Sequence, residues 1–343
     1  MGRHDPSALP IAMTDWVPSR GAHPVSARHC VCGVRVVCVG NRPWRWRELI
    51  MRISAEDYPY VAAVTDAAAS KAPASAPQPE NGWRSTSVGR RRIGIFLVLA
   101  FALSWWAWPI AVLKPDSTAM VSFGPTIAAV VVTAVAGGRR RLAALAKAVI
   151  RWRVPWTRYV IALAGPFLLV GLTGALALAF DVVEPSSLGN AFGWSTWSAL
   201  PLLFVTTALL GGPLFEEVGW RGFLLEQLQR RRSVLVSTAI VAVVWAAWHL
   251  PLLISEPTGQ RSPLPFLVWV LAQAVILTWI YNTSSGSVLM AILFHTAVNV
   301  AGRVLLEPFL GQNGFMAMWW LMATGYALVA AVLIWRTRGR LGR

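Results

Sequence analysis

The chain has 343 residues, of which 56% are apolar and only 13% are charged, and its mean hydropathy is +0.54. The charged share is about half that of an ordinary soluble domain, which excludes water as the solvent of most of the chain. A net charge of +16 would favour nucleic acid binding if the basic residues shared one surface. They fall instead in alternate loops between apolar stretches, so the sequence predicts a protein in a lipid bilayer, with no nucleic acid partner.

Residues 1–88 differ in kind from the rest of the chain, because they contain no long apolar stretch. The run at 67–82 is rich in Ala, Ser, Pro and Gln, and we expect residues 1–88 to be a disordered cytoplasmic segment without a cleaved signal peptide. All three cysteines lie in this segment and are too few for a zinc site with four ligands. Met51 offers an alternative start that would leave residues 1–50 untranslated.

Apolar stretches with the length of a membrane-crossing helix begin at residue 93. A helix of about 20 residues is needed to cross a hydrocarbon core of about 30 Å. The sequence therefore predicts an all-α, polytopic membrane protein with about eight transmembrane helices. The predicted spans are 93–113, 119–136, 159–180, 197–222, 234–254, 264–281, 287–302 and 315–335.

The loops between these spans alternate in charge. Basic residues cluster before the first span, between the second and third, between the fourth and fifth, and after the last, whereas the other loops carry few. Because cytoplasmic loops are enriched in Lys and Arg, we expect both termini in the cytoplasm and a multi-pass protein of the cell (plasma) membrane. Residues 93–335 form the predicted membrane domain, and residues 336–343 form a basic cytoplasmic tail.

The first of three motifs that place polar side chains inside predicted spans is Glu216-Glu217-x-x-x-Arg221. Ionisable groups inside a membrane cost about 2.5–3.5 kcal/mol each and are functional candidates. Glu217 and Arg221 stand one helical turn apart and can pair. A structural ion pair would explain these two residues but not Glu216, which favours a function for the motif.

The second motif is His249, the one ionisable residue of its span, and the third is His295-x-x-x-Asn299. Either alone is compatible with hydrogen bonds between helices. With the two carboxylates they form a set that can activate water and stabilise an oxyanion, which points to peptide hydrolysis. Two mechanisms stay open: a Glu as general base with His and Asn holding the oxyanion, or a Zn²⁺ ion bound by the two histidines and a Glu. The alternative function is a non-hydrolytic transporter or binding protein that uses the same polar groups.

The order and spacing of the three motifs, over residues 96–304, resemble those of the CPBP family of CAAX prenyl endopeptidases and bacteriocin-processing or immunity proteins. The resemblance implies that residues 93–335 form an eight-helix intramembrane peptidase with a cavity open to the cytoplasm. The implied substrate is a peptide or protein, either prenylated or membrane-embedded. One departure is Trp245, at a position where the family usually has Phe.

The resemblance also implies a role for each polar residue of the motifs. Glu216 would activate the attacking water, with Glu217 and Arg221 supporting it. The residues implied to hold the water and the oxyanion are His249, His295 and Asn299. We favour this mechanism without a cofactor; the metal-dependent alternative would bind Zn²⁺ through Glu216, His249 and His295. The non-hydrolytic alternative would be a binding protein of the bacteriocin-immunity type.

Straight helices would not let these motifs meet. Glu216 lies about 28 Å along the fourth span, near its cytoplasmic end, whereas His249 lies about 22 Å along the fifth, towards the outer face. The sequence Gly211-Gly212-Pro213 offers a break just before the carboxylates. We therefore predict a kinked or re-entrant fourth segment, since irregular backbone is tolerated at membrane depth where it lines a cavity.

Overall fold

The structure is a computed structural model that describes residues 86–114, 119–184, 194–255, 263–309 and 313–343. The predicted disordered segment lies outside the described residues up to residue 85. The described residues fold as helices and contain no strand. The α-helices are α1 (Thr86–Trp105), α2 (Trp108–Leu113), α3 (Gly124–Val149), α4 (Trp156–Ala179), α5 (Trp194–Leu210), α6 (Pro213–Gly219), α7 (Glu226–Gln229), α8 (Val234–Trp248), α9 (Leu250–Ser255), α10 (Pro263–Thr283), α11 (Val288–Leu305) and α12 (Phe315–Arg336).

Two short helices of other types complete the fold: a π-helix at Trp220–Leu225, which joins α6 to α7, and a 3₁₀-helix at Glu307–Phe309 after α11. A π-helix inserts an extra residue into a helical turn and is found mostly at functional sites. Here it directly follows the segment that carries the two carboxylates.

Within the described residues, six helical segments are long and apolar enough to cross a membrane, and a bent pair adds a seventh. The prediction of an all-α, polytopic membrane protein is confirmed. The remaining predicted span, 119–136, corresponds to the first half of α3 from Gly124 onward. Its apolar part ends at Arg139 and is shorter than the about 20 residues that cross a membrane, which accounts for the difference from the expected eight.

The fourth predicted span is broken, as the Gly-Gly-Pro sequence predicts. α5 ends at Leu210, α6 begins at Pro213, and the two parts of the span are bent by 42°. Gly212 has a φ of 111°, in the left-handed region that favours glycine. Pro213 occupies the first turn of α6, where its missing N–H has no helical partner to lose. The break starts a new helix whose first residues bring Glu216 and Glu217 into the protein interior.

The centre of the bundle is α11, which packs against α4, α5, α6 and α10. Its candidate span is 67% buried, compared with 28% for the first and last spans. The peripheral helices expose large apolar side chains such as Leu168, Leu202 and Leu328, as expected of surfaces in contact with lipid. The third motif, which lies on α11, is therefore held in the interior.

The two ends of the bundle differ in charge. Three hydrogen bonds join different segments of the chain at one end of the bundle. Ser287 Oγ donates to the Arg151 carbonyl (2.7 Å), Asn282 Nδ2 to the Leu341 carbonyl (3.0 Å) and Arg343 Nη1 to the Gln229 carbonyl (3.3 Å). We call this the basic end, because its segments carry the basic runs 139–141, 151–158, 230–232 and 336–343. The charged residues that the structure describes at the opposite, neutral end are Lys114, Asp181, Glu184, Arg303 and Glu307.

Candidate active site

The two adjacent carboxylates on α6 have different surroundings. Glu217 is completely buried, whereas Glu216 is 6% exposed and lines a cavity of about 490 Å³. The Glu216 carboxylate lies against the turn between α5 and α6, since a Cβ atom on Gly212 would stand only 2.6 Å from its Oε1. Glycine at 212 therefore provides both the turn and the space for this carboxylate.

Glu217 is the centre of a buried ion cluster. Its Oε1 accepts hydrogen bonds from Arg221 Nη1 at 2.7 Å and from His295 Nδ1 at 2.9 Å. Arg221 is also fully buried, and His295 is 5% exposed. Among the described residues, Glu217 Oε2 and Arg221 Nε and Nη2 have no hydrogen-bond partner. The predicted i, i+4 pair is confirmed, and it is extended by a histidine from α11.

Trp245 connects this cluster to the cavity. Its indole Nε1 donates a hydrogen bond of 2.8 Å to Glu216 Oε2. The Arg221 guanidinium carbon lies 4.5 Å from the centre of the indole, a cation–π contact that stabilises a buried charge. The His295 ring and the same indole pack edge-to-face, with centroids 5.5 Å apart. Trp245 was noted from the sequence only as a departure from the Phe that is usual in the family, and the difference that matters here is the indole N–H, which a Phe lacks.

His249 lies at the end of α8, and its ring is held on three sides. The ring centroids of Trp248 and Phe266 lie 5.0 Å and 5.3 Å away, and that of Trp245 lies 5.6 Å away. Its Nδ1 lies 2.8 Å from the Trp245 carbonyl oxygen. Because a carbonyl can only accept, this contact requires that Nδ1 carry the proton. The same reasoning applies to His295, whose Nδ1 faces the carboxylate of Glu217.

The cavity brings together four of the six predicted residues. Glu216, His249, His295 and Asn299 line it, and Asn299 is half-buried one turn beyond His295 on α11. Glu217 and Arg221 are not part of the lining and lie behind it, where they contact His295 and Trp245. Besides Trp245, the cavity has an aromatic lining that the sequence motifs did not predict, formed by Phe266, Trp269, Phe315 and Trp319.

The alternative metal site would use Glu216, His249 and His295 as ligands. Across the described ranges, no three His, Cys, Asp or Glu side chains come close enough together to hold a metal ion. A catalytic zinc site needs three ligands that converge within about 2.1 Å of one point.

Fold and site together define a multi-pass membrane protein with a polar cavity inside the bundle. Residues 196–301 match the family described as Type II CAAX prenyl endopeptidase Rce1-like. This stretch contains α6, α8 and most of α11, and with them all six predicted residues. The resemblance inferred from the three motifs is thereby confirmed.

A curated relative also matches part of the chain. CAAX prenyl protease 2 of Methanococcus maripaludis is 30% identical over 124 residues, which cover 34% of this chain and 44% of the relative. The chain thus spans less than half the length of the curated relative that it matches.

Proposed function

We propose that this protein is an intramembrane endopeptidase in which Glu216 activates the attacking water. The observation that carries the proposal is that the adjacent carboxylates of Glu216 and Glu217 have different surroundings. Glu217 is bound by Arg221 and His295 in the interior, so it is not available to a substrate. Glu216 faces the cavity, beside two imidazoles and an amide.

The groups at the cavity can perform each step of a peptide hydrolysis. Glu216 would take a proton from water as the oxygen attacks the carbonyl carbon of the scissile bond. His295, with its proton on Nδ1, can accept a hydrogen bond from that water at Nε2. The Asn299 amide can donate to the oxyanion that forms. When the C–N bond breaks, Glu216 would return its proton to the leaving amine, and the second proton of the water stays on the other product, so the products are a carboxylic acid and an amine.

The surrounding residues fix the geometry of these steps. The Trp245 indole N–H holds one oxygen of Glu216 and leaves the other for water. The ion pair of Glu217 and Arg221 holds His295 in one tautomer, the role that a supporting carboxylate has in other hydrolases. His249, fixed between aromatic rings at the cavity wall, is placed to contact the substrate or the oxyanion. No step in this mechanism requires a metal ion.

The family match and the curated relative support proteolysis over transport, because both are described as CAAX prenyl proteases. The proposed substrate is a peptide bond close to the membrane, in a prenylated or membrane-embedded protein. The aromatic lining of the cavity suits apolar side chains next to that bond.

The test is cleavage of fluorescence-quenched peptides, prenylated and unprenylated, by the purified full-length chain in liposomes. We expect cleavage at one bond, found by mass spectrometry of the products, and no loss of rate after treatment with a zinc chelator. Folded protein that cleaves none of the peptides would favour the binding-protein function. Activity that a chelator removes and Zn²⁺ restores would contradict the proposed role of Glu216 as the sole activator of water.

A further inference from the structure

A second cavity, of about 390 Å³, lies at the basic end of the bundle. It shares no described lining residue with the cavity that Glu216 faces, so it is a separate site. The residues that line it come from segments far apart in the chain, among them α3, the π-helix, α7 and the turn between α10 and α11. The cavity therefore forms only in the folded protein.

Arginines from four different segments converge on this second cavity. They are Arg141 on α3, Arg151 in the loop after α3, Arg230 after α7, and Arg343. The acidic residue of the described lining is Glu226, whose Oε1 accepts a hydrogen bond of 2.8 Å from Arg230 Nε. Because this pair is neutral, Arg141, Arg151 and Arg343 set the side-chain charge of the cavity. Like charges on one cavity repel each other, and a bound anion would remove that repulsion.

Contacts at the cavity wall restrict where these three arginines lie. Arg343 Nη1 donates a hydrogen bond of 3.3 Å to a backbone carbonyl of α7. The backbone carbonyl of Arg151 accepts from Ser287 Oγ at 2.7 Å. A Cβ atom on Gly137 would stand 2.5 Å from Arg141 Cδ, so glycine at this position makes room for the arginine side chain. Each guanidinium offers five N–H donors in a planar fork, the geometry that binds phosphate oxygens in pairs.

Hydroxyl groups add further donors to the same lining. Thr133, Tyr281 and Ser285 all line the cavity, and the first two are buried. A hydroxyl can donate a hydrogen bond to a phosphate oxygen beside a guanidinium. Guanidinium and hydroxyl donors together, with the carboxylate of the lining already paired, suit a phosphate group and disfavour a cation.

The position of the cavity in the bundle favours a lipid headgroup as the source of that phosphate. Two spans end beside it, since α10 ends at Thr283 and α11 begins at Val288. Trp152 and Trp156 at the same end are exposed, as is typical of residues at the membrane–water interface. α3, which lines the cavity, also exposes the apolar side chain of Val135, which can contact acyl chains. Basic pockets between membrane helices at this depth bind anionic headgroups.

We propose that the basic-end cavity binds the phosphate group of an anionic phospholipid, with Arg141, Arg151 and Arg343 donating hydrogen bonds to its oxygens. The lipid binds only the folded chain, so it stabilises the fold. The site lies outside the candidate active site and does not depend on the proposed peptidase function.

Thermal unfolding of the purified full-length chain in a neutral detergent tests this site. Phosphatidylglycerol is added to one sample, and zwitterionic phosphatidylcholine at the same concentration to another. At about 100 times its dissociation constant, phosphatidylglycerol should raise the melting temperature by about 5–10 °C, whereas phosphatidylcholine should not.

Two double variants separate the cavity from the general charge of the basic end. Arg141→Gln with Arg151→Gln removes two charges from the lining, and the shift should be lost. Arg153→Gln with Arg340→Gln removes two charges from exposed positions outside the described lining, and the shift should be kept. Equal shifts with both lipids, or double variants that both lose or both keep the shift, would overturn the proposal.

Two further measurements cover the remaining outcomes. Inorganic phosphate alone should give no comparable shift, and a shift as large as that with phosphatidylglycerol would overturn the lipid proposal in favour of a free anion. If the first double variant does not fold, Arg343→Gln takes its place. Mass spectrometry of the intact complex should then show a bound phosphatidylglycerol on the parent and on the control double variant but not on Arg343→Gln, and equal retention by all three would contradict the assignment.

Discussion

Arg221 and Arg230 offer a matched pair of tests of the buried ion cluster. Each arginine pairs with a glutamate four residues earlier in the same helical segment, Arg221 with Glu217 and Arg230 with Glu226. Both side chains of the first pair are 0% exposed, whereas Arg230 and Glu226 of the second pair are 44% and 27% exposed. The same substitution thus removes the same kind of ion pair from two environments.

Arg221→Ala leaves the Glu217 carboxylate buried with only His295 as a partner, and removes the cation from the face of Trp245. Breaking a buried ion pair on one side costs about 3–5 kcal/mol. Breaking an exposed i, i+4 pair, as Arg230→Ala does, costs about 0.5 kcal/mol or less. At 2–4 °C per kcal/mol, the melting temperature should fall by about 6–20 °C for Arg221→Ala and by about 2 °C for Arg230→Ala.

The assay is thermal unfolding in one detergent, followed by the intrinsic fluorescence of the 19 tryptophans. Arg221→Lys, which keeps the charge but loses the planar guanidinium, should give a melting temperature between those of the parent and Arg221→Ala. If Arg221→Ala and Arg230→Ala melted within about 2 °C of each other, Arg221 could not be the buried counter-ion of Glu217.

Three substitutions test how the cavity holds its reacting groups. Trp245→Phe keeps the ring but loses the hydrogen bond to Glu216; such bonds to charged groups contribute about 1.5–3 kcal/mol, so kcat should fall about 10- to 100-fold with little change in KM. Trp220→Phe is its control, because that buried indole N–H has no partner among the described residues, and its activity should match the parent. Asn299→Ala should lower kcat by about 10²–10³-fold, whereas an unchanged kcat would remove it from the oxyanion site. Gly212→Ala puts a Cβ 2.6 Å from Glu216 Oε1 at a φ of 111°, so steady-state cleavage should be lost, and retained cleavage would contradict the described turn.

The sequence predicts which polar residues meet in the bundle, because polar residues are rare in its spans. Glu216, His249, His295 and Asn299 stand out against an apolar background, and the structure places all four on one cavity. The break before Glu216 was also predictable, since Gly-Gly-Pro combines a left-handed turn with a residue that begins a helix.

Other features depend on how the helices pack, which one sequence does not reveal. The different surroundings of Glu216 and Glu217 arise because α6 presents one residue to the cavity and its neighbour to α11. The hydrogen bond from Trp245 to Glu216 joins residues 29 positions apart, and no spacing rule predicts it.

The central claim is that Glu216 activates the water, and one comparison of two isosteric variants tests it most directly. Glu216→Gln preserves size and can still accept from Trp245, but it cannot take a proton from water. Glu226→Gln is the matched control, because Glu226 lies in the same helical segment but does not line the active-site cavity. Both are measured for peptide cleavage in liposomes after each has been shown to melt near the temperature of the parent. Loss of cleavage in Glu216→Gln with retention in Glu226→Gln is the predicted result, and cleavage by Glu216→Gln at the rate of the parent would contradict the mechanism.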